Sequence, residues 1–411
     1  MKSSYKRLGD FIKLVDERNK DLEVKNLVGL TINKIFIPSV ANIIGTDMSN
    51  YKIIRKNQFA CSTMQVRRDK KMPLALYKND EPAIISQAYP IFEIIDAKEL
   101  LPEYLMMWFT RAEFDREACF HAVGGVRGSL EWDDFLDFKL PIPSLEKQQE
   151  IVNEYHTIQN RINLNNQLIA KLEETAQTIY KQWFVDFEFP TESHCEKRGT
   201  SDEANSVVGY RSSGGKMVWC EELEKEIPEG WEVVFLDEIC NKLYGYPFDS
   251  NLFTNEKINN IPLIRIRDIL NGFSDVYTSE KVDAKFLVEN GDLLIGMDGT
   301  FHISIWFNNN AYLNQRVVRF RSLSKNLSNL QVLYSIYEQI KDFENNIHGT
   351  TVAHLSDKHL KEVKFIIGND KIQSEVTHIF EIITMNIINT KQENQKLEEL
   401  KELLLGRMVR N

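Results

Sequence analysis

The sequence predicts an α/β (α+β) chain in which two mixed α/β globular halves alternate with two long α-helices. The helices are expected to pair as an antiparallel coiled coil, and the second half-chain to repeat the first as a pseudo-twofold internal repeat. Three observations predict this: a collinear self-similarity, two long stretches with apolar residues at 4-3 spacing, and short strand-like runs between them. The expected divisions are 1–145 (first globular half), 146–190 (first long helix and the segment after it), 191–222 (polar linker), 223–370 (second globular half) and 371–411 (second long helix).

The repeat shows when the sequence is slid by 225 residues. Gly124 then falls on Gly349, Leu130 on Leu355, Gln148 on Gln373, Glu150 on Glu375, and Leu172-Glu173-Glu174 on Leu397-Glu398-Glu399. The front of each half aligns at a shift of 228, with Leu8 on Leu236, Gln87 on Gln315 and Phe92 on Phe320. Identity is low, but the order of matches is collinear, which chance similarity would not preserve.

The helical stretches carry their own pattern. The first seam runs Ile151, Tyr155, Ile158, Ile162, then Ile169, Leu172, Ala176, Ile179, Trp183. The second runs Val376, Phe380, Ile383, Ile387, then Leu397, Leu404, Met408. Steps of four and three over several heptads are a coiled-coil signal. Helices of roughly 35–40 residues would be about 55–60 Å long. Proline or glycine precedes each start, at Leu140-Pro141-Ile142-Pro143-Ser144 and Ile366-Ile367-Gly368-Asn369-Asp370. Asn165, Thr390, Asn394 and Lys401 interrupt the apolar seam. Isolated polar core positions cost stability but fix register, so antiparallel pairing about the midpoints should set Asn165 against Asn394.

Between the helices, Ala83-Ile84-Ile85, Pro90–Ile95, Asp292–Gly296 and Arg316–Phe320 read as strands, and Pro102–Ala118 and Leu330–Ile347 as helices. Residues 191–217 turn polar and Gly/Ser-rich, as a linker or exposed loop would. The length of 411 residues favours two or three domains. No run of about 18 apolar residues and no signal-peptide core appears, so a cytoplasmic location without membrane contact is expected. Five cysteines without a Cys-x-x-Cys pair suit free thiols in a reducing compartment. The net charge of −10 argues against wholesale nucleic-acid binding but permits basic residues clustered on one face. That balance requires the helices to carry much of the negative charge, as Leu172-Glu173-Glu174 and Leu397-Glu398-Glu399 suggest.

Chemistry-bearing motifs are sparse. There is no phosphate-binding G-x-x-x-x-G-K-[ST] loop, no G-x-G-x-x-G after a strand, no Asn/Asp-Pro-Pro-Tyr/Phe string, and no H-E-x-x-H. No metal site and no catalytic residue is assigned. Glu-x-Lys pairs at Glu23–Lys25 and Glu362–Lys364 occur in metal-dependent nucleases, but also arise by chance in a chain that is 27% charged.

Several strings resemble one family. Tyr180-Lys181-Gln182-Trp183-Phe184-Val185-Asp186-Phe187-Glu188-Phe189-Pro190 looks like the central conserved segment of the specificity (S, or HsdS) subunits of type I restriction-modification systems. Lys225–Val233 is similar to the opening of a target recognition domain in that family, and Leu140–Pro143 with Lys147–Ile151 to its domain-to-helix junction. Gly124-Gly125-Val126-Arg127 and Gly349-Thr350-Thr351 stand where the family has a glycine-containing loop. The resemblance covers nearly the whole chain. Two departures affect the termini: no Ile-Pro-Glu-Gly-Trp opening precedes Tyr5, and the second junction lacks the proline pair.

The resemblance implies a non-catalytic DNA reader whose two recognition domains bind a bipartite target of double-stranded DNA. The helices would set the gap and scaffold two methyltransferase (M) subunits and restriction (R) subunits. No cofactor is then expected in this chain; S-adenosylmethionine, ATP and Mg²⁺ belong on partner subunits. Arg and Lys suit guanine, Asn and Gln suit adenine, and hydroxyls with cations suit phosphates. The candidate DNA-binding residues of the first half are Ser62, Thr63, Gln65, Arg67, Arg68, Lys70, Lys71, Gln87 and Arg127. In the second half they are Arg265, Arg267, Asp298, Thr300, His302, Asn314, Gln315, Arg316, Thr350, Thr351 and His354. Arg265 and Arg267 flank Ile266 on a strand-like run, which would point both to one face. Helix pairing falls to Ile151, Ile158, Ile162, Asn165, Leu172, Ile179, Val376, Ile383, Ile387, Asn394, Leu397 and Leu404. Trp183, Phe184 and Phe187 either bind the partner methyltransferase or cap the core between helix and reader. Basic runs such as Arg67–Lys71 are also what an ordinary solvated loop contains. Two other functions stay open: a non-catalytic coiled-coil DNA-binding scaffold, and a stand-alone endonuclease.

Overall fold

The computed structural model describes residues 5–39, 46–125, 128–191, 209–308, 310–346 and 353–409. It divides into two compact units, Met1–Asn163 with Lys396–Asn411, and Leu164–Gln395. Each unit holds one globular half and part of both long helices.

In the first unit, Tyr5–Arg7 pairs antiparallel with Lys139–Pro141, the strand that leads into the first long helix. A four-stranded antiparallel sheet orders Ile12–Val15, Ile91–Ile94, Phe59–Cys61 and Leu74–Leu76. Helices Pro102–Thr110 and Ala112–His121 cover it, burying Leu105, Phe109, Phe114 and Ala118 against Phe59 and Phe92. The single helix expected over Pro102–Ala118 is thus broken at Arg111. That residue is extended, and its guanidinium lies 4.3 Å from the centre of the Trp108 ring. Leu404, Leu405 and Met408, from the last turns of the second long helix, join the same core.

The second unit repeats the plan. Glu232–Phe235 pairs with Lys364–Ile367, the strand before the second long helix. Its antiparallel sheet runs in the same order: Cys240–Tyr244, Val317–Ser322, Leu293–Gly296, Ile303–Ile305. One helix, Asn329–Asn346, covers this sheet. A second, five-stranded sheet is added from Phe253–Thr254, Tyr277–Thr278, Ile261–Ile264, Ala311–Leu313 and Leu287–Val288.

The long helices span Leu145–Tyr180 and Asp370–Arg407, 36 and 38 residues. Side chains just outside them cap their first turns: Ser144 Oγ accepts from the Lys147 amide at 3.4 Å, and Asn369 Oδ1 from the Ile372 amide at 3.1 Å. In the first unit Ile151 and Ile162 are buried, and Ile158 packs half-buried against the core that holds Leu404. In the second unit Ile169, Ala176, Val376, Phe380, Ile383 and Ile387 are buried together, with Leu172 and Ile179 packed against them. Leu397 is half-buried.

Asn165 Nδ2 donates to Asn394 Oδ1 at 2.9 Å, and Asn394 Nδ2 donates to Asn166 Oδ1 at 2.9 Å. Further along, Glu173 meets Lys391 at 3.6 Å. Numbers rise on one helix as they fall on the other, so the pair is antiparallel. The remaining polar interruptions are absorbed locally: Thr390 bonds back to the Asn386 carbonyl at 2.7 Å. Lys401 pairs with Glu398 at 2.5 Å and donates to Gln159 at 3.3 Å.

Two expectations need correction. Trp183, Phe184 and Phe187 are buried within this chain and are not a partner surface. A turn of π-helix at Lys181–Val185 carries Trp183 and Phe184 inward, and Phe187 follows it at φ +60°. Phe184, Phe187 and Phe189 surround Trp231, with ring centres 5.3, 5.6 and 5.0 Å away. The polar stretch does not run loose to 222, because Met217–Cys220 forms a hairpin with Lys225–Pro228 that packs into this cluster. The long helices hold much, though not most, of the negative charge. They carry twelve acidic against eight basic residues, four of the net ten.

Because Trp231 joins the central aromatic segment to the second half, Trp231→Ala should cost about 3–5 kcal/mol of unfolding free energy. Chemical denaturation of the full chain, followed by circular dichroism, measures it; a loss under about 1 kcal/mol would show the cluster to be peripheral.

Candidate nucleic-acid interface

In the second half, three backbone segments meet at one end of the four-stranded sheet. The Met297 amide donates to Arg316 O at 3.0 Å, Gly296 N to His302 O at 2.8 Å, and Val317 N to Asn314 O at 2.9 Å. These bonds gather Arg265, Ile266, Arg267, Thr300, His302, Asn314 and Arg316 around an open concavity of about 390 Å³. Arg267, Thr300, Gln315 and Arg316 are exposed, and Asn314 and His302 are half-buried. Asn314 Oδ1 accepts from the Gln315 amide at 2.7 Å, which fixes the turn that presents Gln315 and Arg316.

Arg265 differs from its expectation. The strand ends at Ile264, and Ile266–Asp268 is a 3₁₀ turn, so Arg265 and Arg267 do not share a strand face. Asp268 grips the Arg265 guanidinium at 2.8 and 3.0 Å, and Asp275 takes Nη2 at 2.8 Å. Its Nε and Nη2 are used internally, so it is a wall of the concavity and Arg267 is the available cation beside it.

Asp298 is also not a bare acid at the surface. Its carboxylate lies 3.2 Å from Arg316 Nε and 2.6 Å from His354 Nδ1. The backbone repeats the link, with Gly299 N donating to Ala353 O at 2.9 Å and Leu355 N to Met297 O at 2.8 Å. Gly299 stands at φ +71°, a region that favours glycine. The short helix after this segment, Asp357–Glu362, is pinned through Asp357 to Lys242 and Tyr244, both at 2.6 Å. Those bonds, with one from Lys361, hold the Asp357 carboxyl well below the usual carboxylate range. Thr350 and Thr351 lie outside the described residues, as does Arg127.

The first half is stitched in a related way. The Leu130 amide donates to Thr63 O at 2.9 Å, the counterpart of the Leu355–Met297 bond. Ser62 N donates to Pro73 O at 2.8 Å, closing the loop that carries the basic run. Gln65 and Lys70, at φ +65° and +52°, bracket the single turn Val66–Asp69. Arg67 Nη1 donates to Gly124 O at 3.2 Å, and a Cβ on Gly128 would meet the Arg67 side chain at 2.7 Å. Arg68 is spent on its neighbour Asp69 at 2.7 Å, whereas Lys70 and Lys71 are exposed. Gln87 is exposed in a turn whose Pro90 carbonyl accepts from the Cys61 amide at 3.1 Å.

Beneath the basic loop lies a buried ion pair. Lys34 Nζ sits 2.8 Å from Asp115 Oδ1, with side chains 6% and 11% exposed. Asp115 also accepts from the Met72 amide at 3.1 Å, and Lys34 bonds to the Phe109 carbonyl. Burial pushes the Lys34 ammonium below its ordinary pKa, and Asp115 opposes that shift.

Sequence reasoning missed the exposed apolar residues near these loops. Met64 and Val123 flank the first-half loops in the chain, Phe120 is 80% exposed, and Leu270 and Phe273 follow Arg267. They sit at loop and helix ends, where no periodicity marks them. The Glu-x-Lys pairs form no centre: Glu23 and Lys25 are exposed, and Lys364 opens a strand with its ammonium over Phe235 at 5.3 Å. Among the described residues, no three His, Cys, Asp or Glu side chains gather as metal ligands. Cys61, Cys119, Cys220 and Cys240 are free thiols, and no described helix is long and apolar enough to cross a membrane.

The family model for the type I restriction modification DNA specificity domain matches residues 4–174 and again 228–399, once per half. The chain belongs to the type I restriction-modification DNA specificity family. Among specificity-family relatives, it is 22% identical to the type I restriction enzyme HindI specificity subunit of Haemophilus influenzae, over 98% of this chain and 97% of that one. It is 28% identical to the EcoBI specificity subunit of Escherichia coli over 43% of this chain, a match spanning only 37% of that relative. The MjaIX specificity subunit of Methanocaldococcus jannaschii matches at 25% over 82% of this chain and 74% of its own. The crystal structure of the type I restriction-modification S subunit from M. genitalium superposes with a TM-score of 0.57 at 14% identity. It covers 98% of this chain and 95% of that one, a likeness of fold.

For this specificity-family chain, Asp115→Ala should destabilise the first half by about 3–5 kcal/mol, because it strands the buried Lys34 charge. The double change Asp115→Ala with Lys34→Met should recover most of that loss. Thermal unfolding of the three proteins decides it; no recovery in the double variant would refute the assignment.

Proposed function

We propose that this chain is the DNA-recognition subunit of a type I restriction-modification complex and reads a two-block target, one block with each globular half. The observation that carries this is the duplicated sheet order, with a polar, cation-bearing loop cluster on the equivalent edge of each sheet. Phosphate contacts fall to Lys70, Lys71, Arg67 and Arg267; base edges fall to Gln87, Gln315, Asn314 and Arg316. The chain contributes address and assembly, not catalysis. S-adenosylmethionine, ATP and Mg²⁺ act on two methyltransferase subunits and on restriction subunits. Exposed Leu164, Leu168, Ile382 and Met385 on the long helices, with Leu400 and Leu403, offer those subunits apolar docking positions in place of the buried Trp183, Phe184 and Phe187. Function in the cytoplasm follows from the substrate.

Equilibrium binding of the chain, together with its methyltransferase, to duplex DNA at several salt concentrations tests this. Log affinity should fall linearly with log salt. Lys71→Ala should weaken all sequences alike and lower the slope by about 1. Absence of DNA binding by a well-formed complex would favour a scaffold, and Mg²⁺-dependent cleavage by the isolated chain would favour a nuclease.

A further inference from the structure

We propose that Arg316 reads a guanine in the block recognised by the second half, and that Asp298 and His354 are positioning residues that hold it to that task. This rests on the reading of the chain as a DNA specificity subunit.

Arginine recognises guanine by presenting two parallel N–H donors to O6 and N7, which a flexible chain does only at an entropic cost. Arg316 has that cost reduced. Its Nε lies 3.2 Å from Asp298 Oδ2, and the other carboxylate oxygen is 2.6 Å from His354 Nδ1. Asp298 and His354 also pair through their backbones, so the carboxylate is held from both sides. Among the described residues no hydrogen bond occupies Arg316 Nη1 or Nη2, and the side chain is 57% exposed at the lip of the concavity. The fork is oriented at its root and open at its tip.

The charge pattern separates base from phosphate. Asp298 keeps 29% of its side chain exposed beside Arg316, and a phosphate approaching that guanidinium would also approach the carboxylate. A base edge brings no such repulsion. Arg267, which lines the same concavity, has no ion pair among the described residues and suits phosphate. Arg265 cannot compete, because Asp268 and Asp275 hold its fork.

The internal repeat supplies a built-in contrast. At the shift that sets Gln87 on Gln315, the first half has Ala88 where the second has Arg316. The guanine requirement should therefore belong to one block only.

The test is a genome-wide methylation map from cells carrying the methyltransferase subunit with wild-type, Arg316→Ala, Arg316→Lys or Asp298→Asn chains. Wild type should give a two-block motif with a G·C pair in the second half's block. Arg316→Ala should relax that single position by about 5- to 150-fold in preference, leaving the other block and the gap unchanged. Arg316→Lys keeps the charge but not the fork, so it should relax the same position even if the alanine variant folds poorly. Asp298→Asn should relax it partially without altering any other position. An unchanged motif with uniformly weaker methylation would make Arg316 a phosphate contact and overturn the inference; relaxation in both blocks would overturn it too. Absence of any chain-dependent motif with wild type would instead overturn the underlying reading.

Discussion

A buried glutamine in the first turn of each long helix ties that helix to its own globular half, and the placement of the loops depends on it. Gln148 is fully enclosed: its Oε1 accepts from the Leu101 amide, and its Nε2 donates to the Glu99 and Pro143 carbonyls, all at 2.9 Å. Gln373 does the same work through a reciprocal amide pair with Gln331, at 2.5 and 3.3 Å. A buried amide left without partners costs about 1–3 kcal/mol, so either helix is held in one rotation and one register against the strands beside it. Those strands, Lys139–Pro141 and Lys364–Ile367, pair with Tyr5–Arg7 and Glu232–Phe235 near the start of the same half. The loops at the sheet edge inherit a fixed frame from this joint.

On that frame the halves diverge. The second half adds a five-stranded sheet, whose strand Ala311–Leu313 delivers Asn314, Gln315 and Arg316 to the edge of the concavity. Among the described residues, the first half has in its place the short pairs Val28–Leu30 with Phe36–Pro38 and Lys52–Ile54 with Ala83–Ile85. Its cations stand on the Gln65–Lys71 loop above the Lys34–Asp115 pair. A duplicated core with different loops is what a two-block reader requires, because the core answers to packing and the loops to the ligand.

Much of this was legible in the sequence. The shift that sets Gln148 on Gln373 marks the joint, although glutamine type alone does not show that both are buried. The 4-3 seam located both helices, and its interruption at Asn165 and Asn394 gave their register, because two amides in an apolar seam are stable only when they satisfy each other. What was illegible depended on partners distant in the chain. Trp183, Phe184 and Phe187 read equally as surface or core until Trp231 and the Met217–Cys220 hairpin closed over them. Arg265 and Arg267 alternate as a strand would, yet the carboxylate of Asp268 bends the chain into a turn by accepting from the Arg265 amide at 3.0 Å.

The most direct test of the account is to sequence methylated bases in cells carrying the methyltransferase subunit with and without this chain. The account predicts one motif of two blocks separated by a fixed gap, present only with the chain. A soluble complex of the two proteins that adds no chain-dependent motif would contradict it.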